Sequence, residues 1–137
     1  MPIHPLASVN SKARIDSSVH IGPWTSIGPH VQIGKDCAIG SHVVIEGHTT
    51  LGEANEVRAY VALGGKPQHR EDHGEDTQLI IGDRNRFFEY STVCRGTKAT
   101  GRTVISNDCL LMVASHVAHD CQLADGVTMV NQATLGG

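Results

Sequence analysis

From Ile3 an aliphatic residue recurs at every sixth position: Val9, Ile15, Ile21, Ile27, Ile33, Ile39, Ile45, Leu51, Val57 and Leu63. With isoleucine, leucine and valine at 31 of 137 positions, eleven hits in one phase have a chance probability of roughly one in ten million, so the period is a structural signal. Six is not the helical repeat, although it is a multiple of the two-residue alternation of a strand, and something must turn the chain once per hexad. The residue after the aliphatic one is often glycine (Gly22, Gly28, Gly34, Gly40, Gly52, Gly64, Gly82, Gly136), with Asn10 and Asp16 in the same slot. These types tolerate turn conformations. The fifth hexad position is small or narrow nearly throughout, as at Ala7, Thr25, Cys37, Ser91, Cys109 and Ala133. One aliphatic and one small inward position per hexad suit a short strand followed by a corner. Three such strands make a triangular coil of about 18 residues, and stacked coils pair as parallel strands about 4.8 Å apart. The predicted fold is an all-β, hexapeptide-repeat parallel β-helix, a triangular prism in which each coil is stable only against its neighbours.

Two segments interrupt the period, which resumes at Ile81, Phe87 and Val93 and again from Ile105 to Leu135. The stretches GGKPQHREDHGEDTQ and CRGTKATGRT are polar and irregular, and predict external loops at about 64–78 and 97–104. They are either solvated excursions or the places where a flat, repetitive scaffold acquires chemistry. The whole of 1–137 reads as one β-helix domain. Hexads run to Gly137 with no closing segment, so the expectation is a domain incomplete at its C-terminal end, or an end covered by something else.

Composition narrows the functional classes. A net charge of -3 and a pI near 6.3, with dispersed lysines and arginines, leave no footprint for nucleic acid or an anionic membrane. No run of 18 apolar residues predicts a membrane span, and the start MPIHPLAS lacks the charged and apolar regions of a signal peptide, so the expected compartment is cytoplasmic. Cys37, Cys94, Cys109 and Cys121 form no CxxC pair and indicate neither a disulfide scaffold nor a zinc knuckle.

The candidate chemistry lies in SHVAHDC, residues 115–121. In one reading His119 is a general base oriented by a neighbouring carboxylate or carbonyl; Asp120 could serve only if the chain bends there, because adjacent strand residues point to opposite sides. In a second, His116 and His119 are surface residues of a corner. A third is zinc, which needs three converging ligands, and the nine histidines show no such clustering. Stacking adds a geometric expectation. Residues 18 apart lie one above the other, so Gly137 falls beside His119, where its N–H could serve a developing oxyanion or simply form a turn. By the same count His30 and His48 stack as an exposed pair.

The segment SNDCLLMVASHVAHDCQLADGVTMVNQATLGG, together with IGDRNRFFEYSTVCRGT at 81–97 and IGPWTSIGPHVQIGKDCAIGSHVVIEGHTTLG, resembles the acyl-[acyl-carrier-protein]–UDP-N-acetylglucosamine O-acyltransferases of lipid A biosynthesis. The resemblance runs in register over essentially the whole chain, and HVAHDC and GDRNR with RGT are its specific parts. It implies a left-handed helix, an exception to the usual crossover hand, and a homotrimer with active sites between subunits. It further implies transfer of a 3-hydroxyacyl group from acyl carrier protein to the 3-hydroxyl of a UDP-amino sugar, without cofactor or metal. His119 matches the base, Asp120 the acid that follows it, His116 the accessory histidine and Gly137 the oxyanion glycine. Gln68, His69, Arg70 and Glu71 fall in the substrate loop. There PQHREDHGE replaces a pattern close to PQDLKYKGE, putting His69 at an aspartate position and Glu71 at a lysine position. Losing a cation beside a diphosphate weakens attraction unless Arg70 substitutes for it. The family continues with further coils and a helical domain. Two rival classes remain at this point. One is a non-catalytic β-helix, a truncated paralogue or assembly module. The other is a metal enzyme of the γ-carbonic-anhydrase type, whose paired histidines are five apart rather than three.

Overall fold

The computed structural model describes residues 2–137, and every regular element among them is a strand. Nineteen strands, most of two residues, run from Ser8–Val9 to Thr134–Leu135. Successive strands join successive sheets, giving three parallel sheets of seven, six and six strands. Sheet I starts with Ser8–Val9, sheet II with Arg14–Ile15 and sheet III with His20–Ile21. Pairings such as Ser8↔Ser26, Arg14↔Gln32 and His20↔Ala38 fix an 18-residue coil. The architecture is the parallel β-helix expected from the hexads, with the left hand that the resemblance implies.

The sixth-position residues fill the prism: Ile21, Ile45, Leu63, Ile81, Phe87, Leu111 and Val117 are all buried. The left-handed corner residues fall two positions after the glycine slot to which the hexads point. Among the described residues all eleven non-glycine residues with positive φ, from Trp24 to Gln132, sit at positions divisible by six, three residues after the aliphatic one. Gly34 and Gly52, in the slot just after it, do not have positive φ. Their requirement is clearance. A Cβ on Gly34 would stand 2.5 Å from the Gly52 carbonyl oxygen on the next coil, and one on Gly52 2.7 Å from that of Gly82.

Each edge of the prism has its own filling. Along the edge from sheet III to sheet I, Trp24, His42, Tyr60 and Tyr90 form an exposed column, with His42 to Tyr60 and Tyr60 to Tyr90 stacked at 5.0 and 5.3 Å. Inside the edge from sheet II to sheet III runs a buried polar ladder. Asn55 Nδ2 donates to the Gly82 carbonyl (2.8 Å) and its Oδ1 accepts from Asn85 N; Asn85 repeats this toward Ser106 O (2.9 Å) and Cys109 N (2.8 Å). Cys37 and Cys109 extend the ladder as donors to carbonyls, and burial pushes both thiols up, keeping them protonated. Asparagine departs from the small-residue rule of the fifth position because it can satisfy both a corner carbonyl and an amide. Asn85→Ala strands both partners, each worth about 1–3 kcal/mol when buried and unsatisfied. The expected loss is at least ~2 kcal/mol in a denaturant titration; a loss within error of zero contradicts the ladder's role.

Both loops leave the same edge, from sheet I to sheet II. The flanking strands are Ala62–Gly65 and Gln78–Ile81, then Thr92–Cys94 and Arg102–Ile105. The excursions are therefore 66–77 and 95–101, shorter than expected at 64–78 and 97–104. Arg102–Val104 are in a strand because Gln78↔Arg102 and Leu79↔Thr103 pair in register and Thr103 turns fully inward. Leu63 pairs with Val93, 30 residues on instead of 18, and Leu79 with Thr103, 24 on. The insertions are thus 12 and 6 residues, whole numbers of hexads, which is why the period resumes in phase. No helix among the described residues is long and apolar enough to cross a membrane.

Candidate active site

Three consecutive coils stack their sheet I to sheet II corners: loop 66–77, loop 95–101, and the tight turn at 118–121 that carries His119. The loops are pinned to the column. Arg95 Nη1 donates to the Gly64 carbonyl (3.0 Å), the Thr77 hydroxyl to Gly96 O, and Gly101 N closes on Thr97 O at 2.7 Å. Between them and the turn lies a cavity of about 490 Å³ lined by His69, Glu71, Thr97, Lys98, Ala99, His119, Asp120 and Gly137.

The bend that Asp120 needs to reach its neighbour is present. Its φ is +66°, and its amide donates to the buried Thr103 hydroxyl at 2.9 Å. His119 Nδ1 and Asp120 Oδ2 are 2.8 Å apart, with side chains only 15% and 13% exposed. Burial by itself pushes the Asp120 carboxyl up. Hydrogen bonds from Thr100, Thr97 and His119 outweigh it and hold the group well below the usual carboxylate range. A depressed carboxyl contributes stability that is fully present above the ordinary carboxylate range and is lost as pH falls from that range toward the lower pKa of the folded form. At neutral pH Asp120 is ionised and can only accept, so His119 Nδ1 donates and the neutral ring keeps its lone pair on Nε2.

Gly137 lies one coil above, in the register set by His116↔Thr134 and Val117↔Leu135. A Cβ there would come within 2.6 Å of His119 Nε2, so glycine is what lets the ring stand under the next rung. Cys121 Sγ donates to the Gly136 carbonyl (3.3 Å) and ties that rung down. His69 packs edge-on to His119, ring centroids 5.0 Å apart. Because the Glu71 amide donates to His69 Nδ1 (3.1 Å), the neutral His69 ring carries its proton on Nε2.

Not every residue singled out from the sequence converges. Glu71 lines the cavity, whereas Gln68 and Arg70 are exposed and do not line it. His116 lies on the flat of sheet I with Nδ1 2.7 Å from the Thr92 hydroxyl, outside the cavity lining. His30 and His48 stack as expected, 4.3 Å apart, and His48 Nε2 also meets Asp76 at 2.7 Å. Among the described residues no three His, Cys, Asp or Glu side chains converge as a metal would require. Sequence reasoning missed Thr97, Lys98 and Thr100. Their signal was topological: Leu63, Val93 and Val117 all lie on sheet I strands, so both loops and SHVAHDC leave one edge.

The comparisons agree with this architecture. The family described as bacterial transferase hexapeptide (six repeats) matches residues 12–47. The acyl-[acyl-carrier-protein]–UDP-N-acetylglucosamine O-acyltransferase of Syntrophobacter fumaroxidans is 44% identical over all of this chain and 54% of its own length. The enzyme of the same name from Halorhodospira halophila is 49% identical over 98% of the chain and 53% of its own. A crystal structure of a UDP-N-acetylglucosamine acyltransferase superposes with a TM-score of 0.97 at 34% identity, covering 98% of this chain and 52% of that one. LpxA from Acinetobacter baumannii gives 0.90 at 36%, covering 98% and 55%. The chain spans about half the length of these relatives. In register along its whole length, the chain is thus similar to about half of an acyl-[acyl-carrier-protein]–UDP-N-acetylglucosamine O-acyltransferase.

Proposed function

We propose that this chain is the part of an acyltransferase that holds its base, moving an acyl group, 3-hydroxyacyl by resemblance, from acyl carrier protein to the 3-hydroxyl of UDP-N-acetylglucosamine or a related UDP-amino sugar. The observation that carries the reading is the His119–Asp120 pair, with Nε2 free and Gly137 on the next rung. The sugar hydroxyl gives its proton to His119 Nε2 as its oxygen bonds to the thioester carbonyl carbon. The carbonyl oxygen gathers negative charge beside the Gly137 amide. The tetrahedral adduct then collapses, the carbon–sulfur bond breaks, and the departing thiolate takes the proton from His119. A positioned base supplies about 10²–10⁴ in rate and one oxyanion donor about 10²–10³.

His69 and Glu71 on the cavity wall shape the acceptor subsite, and Lys98 supplies a cation that Arg70, outside the lining, does not. His116, held by Thr92 on the flat of sheet I, meets substrate only where a second subunit faces that sheet, which fits a homotrimer with sites at its seams. The donor is a cytoplasmic carrier protein, and the reaction is the first step of lipid A biosynthesis. Purified protein given 3-hydroxyacyl carrier protein and UDP-N-acetylglucosamine is expected to form the 3-O-acyl sugar nucleotide, read by mass spectrometry. Thioester consumed to free acid without that product would overturn the assignment of the acceptor.

A further inference from the structure

We infer that Thr97 is a positioning residue that sets the proton affinity of the His119–Asp120 pair through the charge on the Asp120 carboxylate, with Thr100 in support. The inference rests on the reading of His119 as the base. Asp120 Oδ2 receives His119 Nδ1–H and the Thr97 hydroxyl, the latter at 2.6 Å; Oδ1 receives the Thr97 amide at 2.9 Å and the Thr100 hydroxyl. A carboxylate offers about four acceptor sites, and all four are taken by protein donors. Three of the four come from loop 95–101, so the loop both orients the carboxylate and draws charge away from the imidazole.

The two threonines are not equivalent. The Thr97 hydroxyl accepts from Ala99 N (3.2 Å), so its one proton is directed to Asp120, and the residue is buried. Thr100 divides its proton between Asp120 and the Arg102 carbonyl at 3.0 Å. Thr97 is therefore the dominant partner.

The sign follows from the charge. Each hydroxyl bonded to Asp120 disperses negative charge that would otherwise stabilise an imidazolium at His119. Removing the Thr97 hydroxyl leaves a more basic carboxylate against Nδ1–H and makes the ring hold its proton to higher pH. The other charged or titratable groups facing the ring, His69, Glu71 and Lys98, are untouched by the substitution.

The test is Thr97→Val, which keeps the shape and the backbone amide, with Thr97→Ala as a second variant that adds no bulk and Thr97→Ser as the conservative control. The His119 ring is titrated by NMR in each, and the kcat/KM profile is measured against pH. In both hydroxyl-free variants the midpoint and the acid limb are expected to move up by roughly half a pH unit or more, with the KM for the sugar nucleotide within about twofold of wild type. Serine is expected to restore the wild-type midpoint. A coincident midpoint in folded Thr97→Val and Thr97→Ala, or a shift that serine fails to reverse, overturns the proposal. Failure of the base assignment itself looks different: a His119 variant that turns over normally, an outcome on which the ring titration does not depend.

Discussion

His119→Ala should lower kcat/KM for acyl transfer by about 10²–10⁴ while leaving the far-UV spectrum and melting transition of the protein in place. The rate falls because nothing else in the cavity can take the hydroxyl proton from the same point: His69 stands edge-on with Nδ1 engaged by Glu71, and Asp120 is committed to four donors. Stability should hold because Asp120 keeps three of those donors and the turn keeps its bond to Thr103. The pH dependence carries the same signature. Asp120 stays ionised far into acid, so the acid limb of activity reports protonation of the imidazole and not of the carboxylate. Turnover within a factor of about three of wild type would exclude His119 as the base.

Phe87→Ala should be the most damaging single core change, on the order of 3–5 kcal/mol by the usual cost of deleting a buried aromatic ring. Phe87 is the largest fully buried side chain, in register with Val57 below and Leu111 above. The void opens in mid-column, where rigid two-residue strands cannot collapse into it. For a domain of this size the melting midpoint should drop by about 10 °C or more. Tyr90→Ala makes the control, since that ring is 60% exposed on the aromatic edge and should cost within about 0.5 kcal/mol. Equal melting losses for the two would mean that stability resides in the edges of the prism and not in its filling.

Much of this was legible in the chain because a six-residue beat leaves little topological freedom. Once Ile3 to Leu63 are placed inward, the coil, the parallel pairing and the meeting of His119 with Gly137 follow by counting. What counting could not supply is local. The left-handed corner residues include Trp24, Tyr60 and Tyr90, side chains with no preference for that backbone region, so the hexads point instead to the glycines two positions earlier, of which Gly34 and Gly52 are constrained by the carbonyl of the next coil. Arg102 and Thr103 read as loop because they are polar, and only pairing with Gln78 and Leu79 shows otherwise. Thr97 belongs to a motif in the sequence but has no role there, since a hydroxyl gains one only when a carboxylate 23 residues away is folded onto it.

The two whole-hexad insertions bear on how this scaffold can change. Among the described residues only the sheet I to sheet II edge has absorbed extra length; of the other two, one carries stacked rings and the other threads asparagines from coil to coil. A segment spliced into that permissive seam bears little more than the entropy of closing a longer loop, about 0.6 kcal/mol per doubling, and hands the strand back with the same face inward. New recognition modules can therefore be grafted beside His119 without retuning the column that supports it.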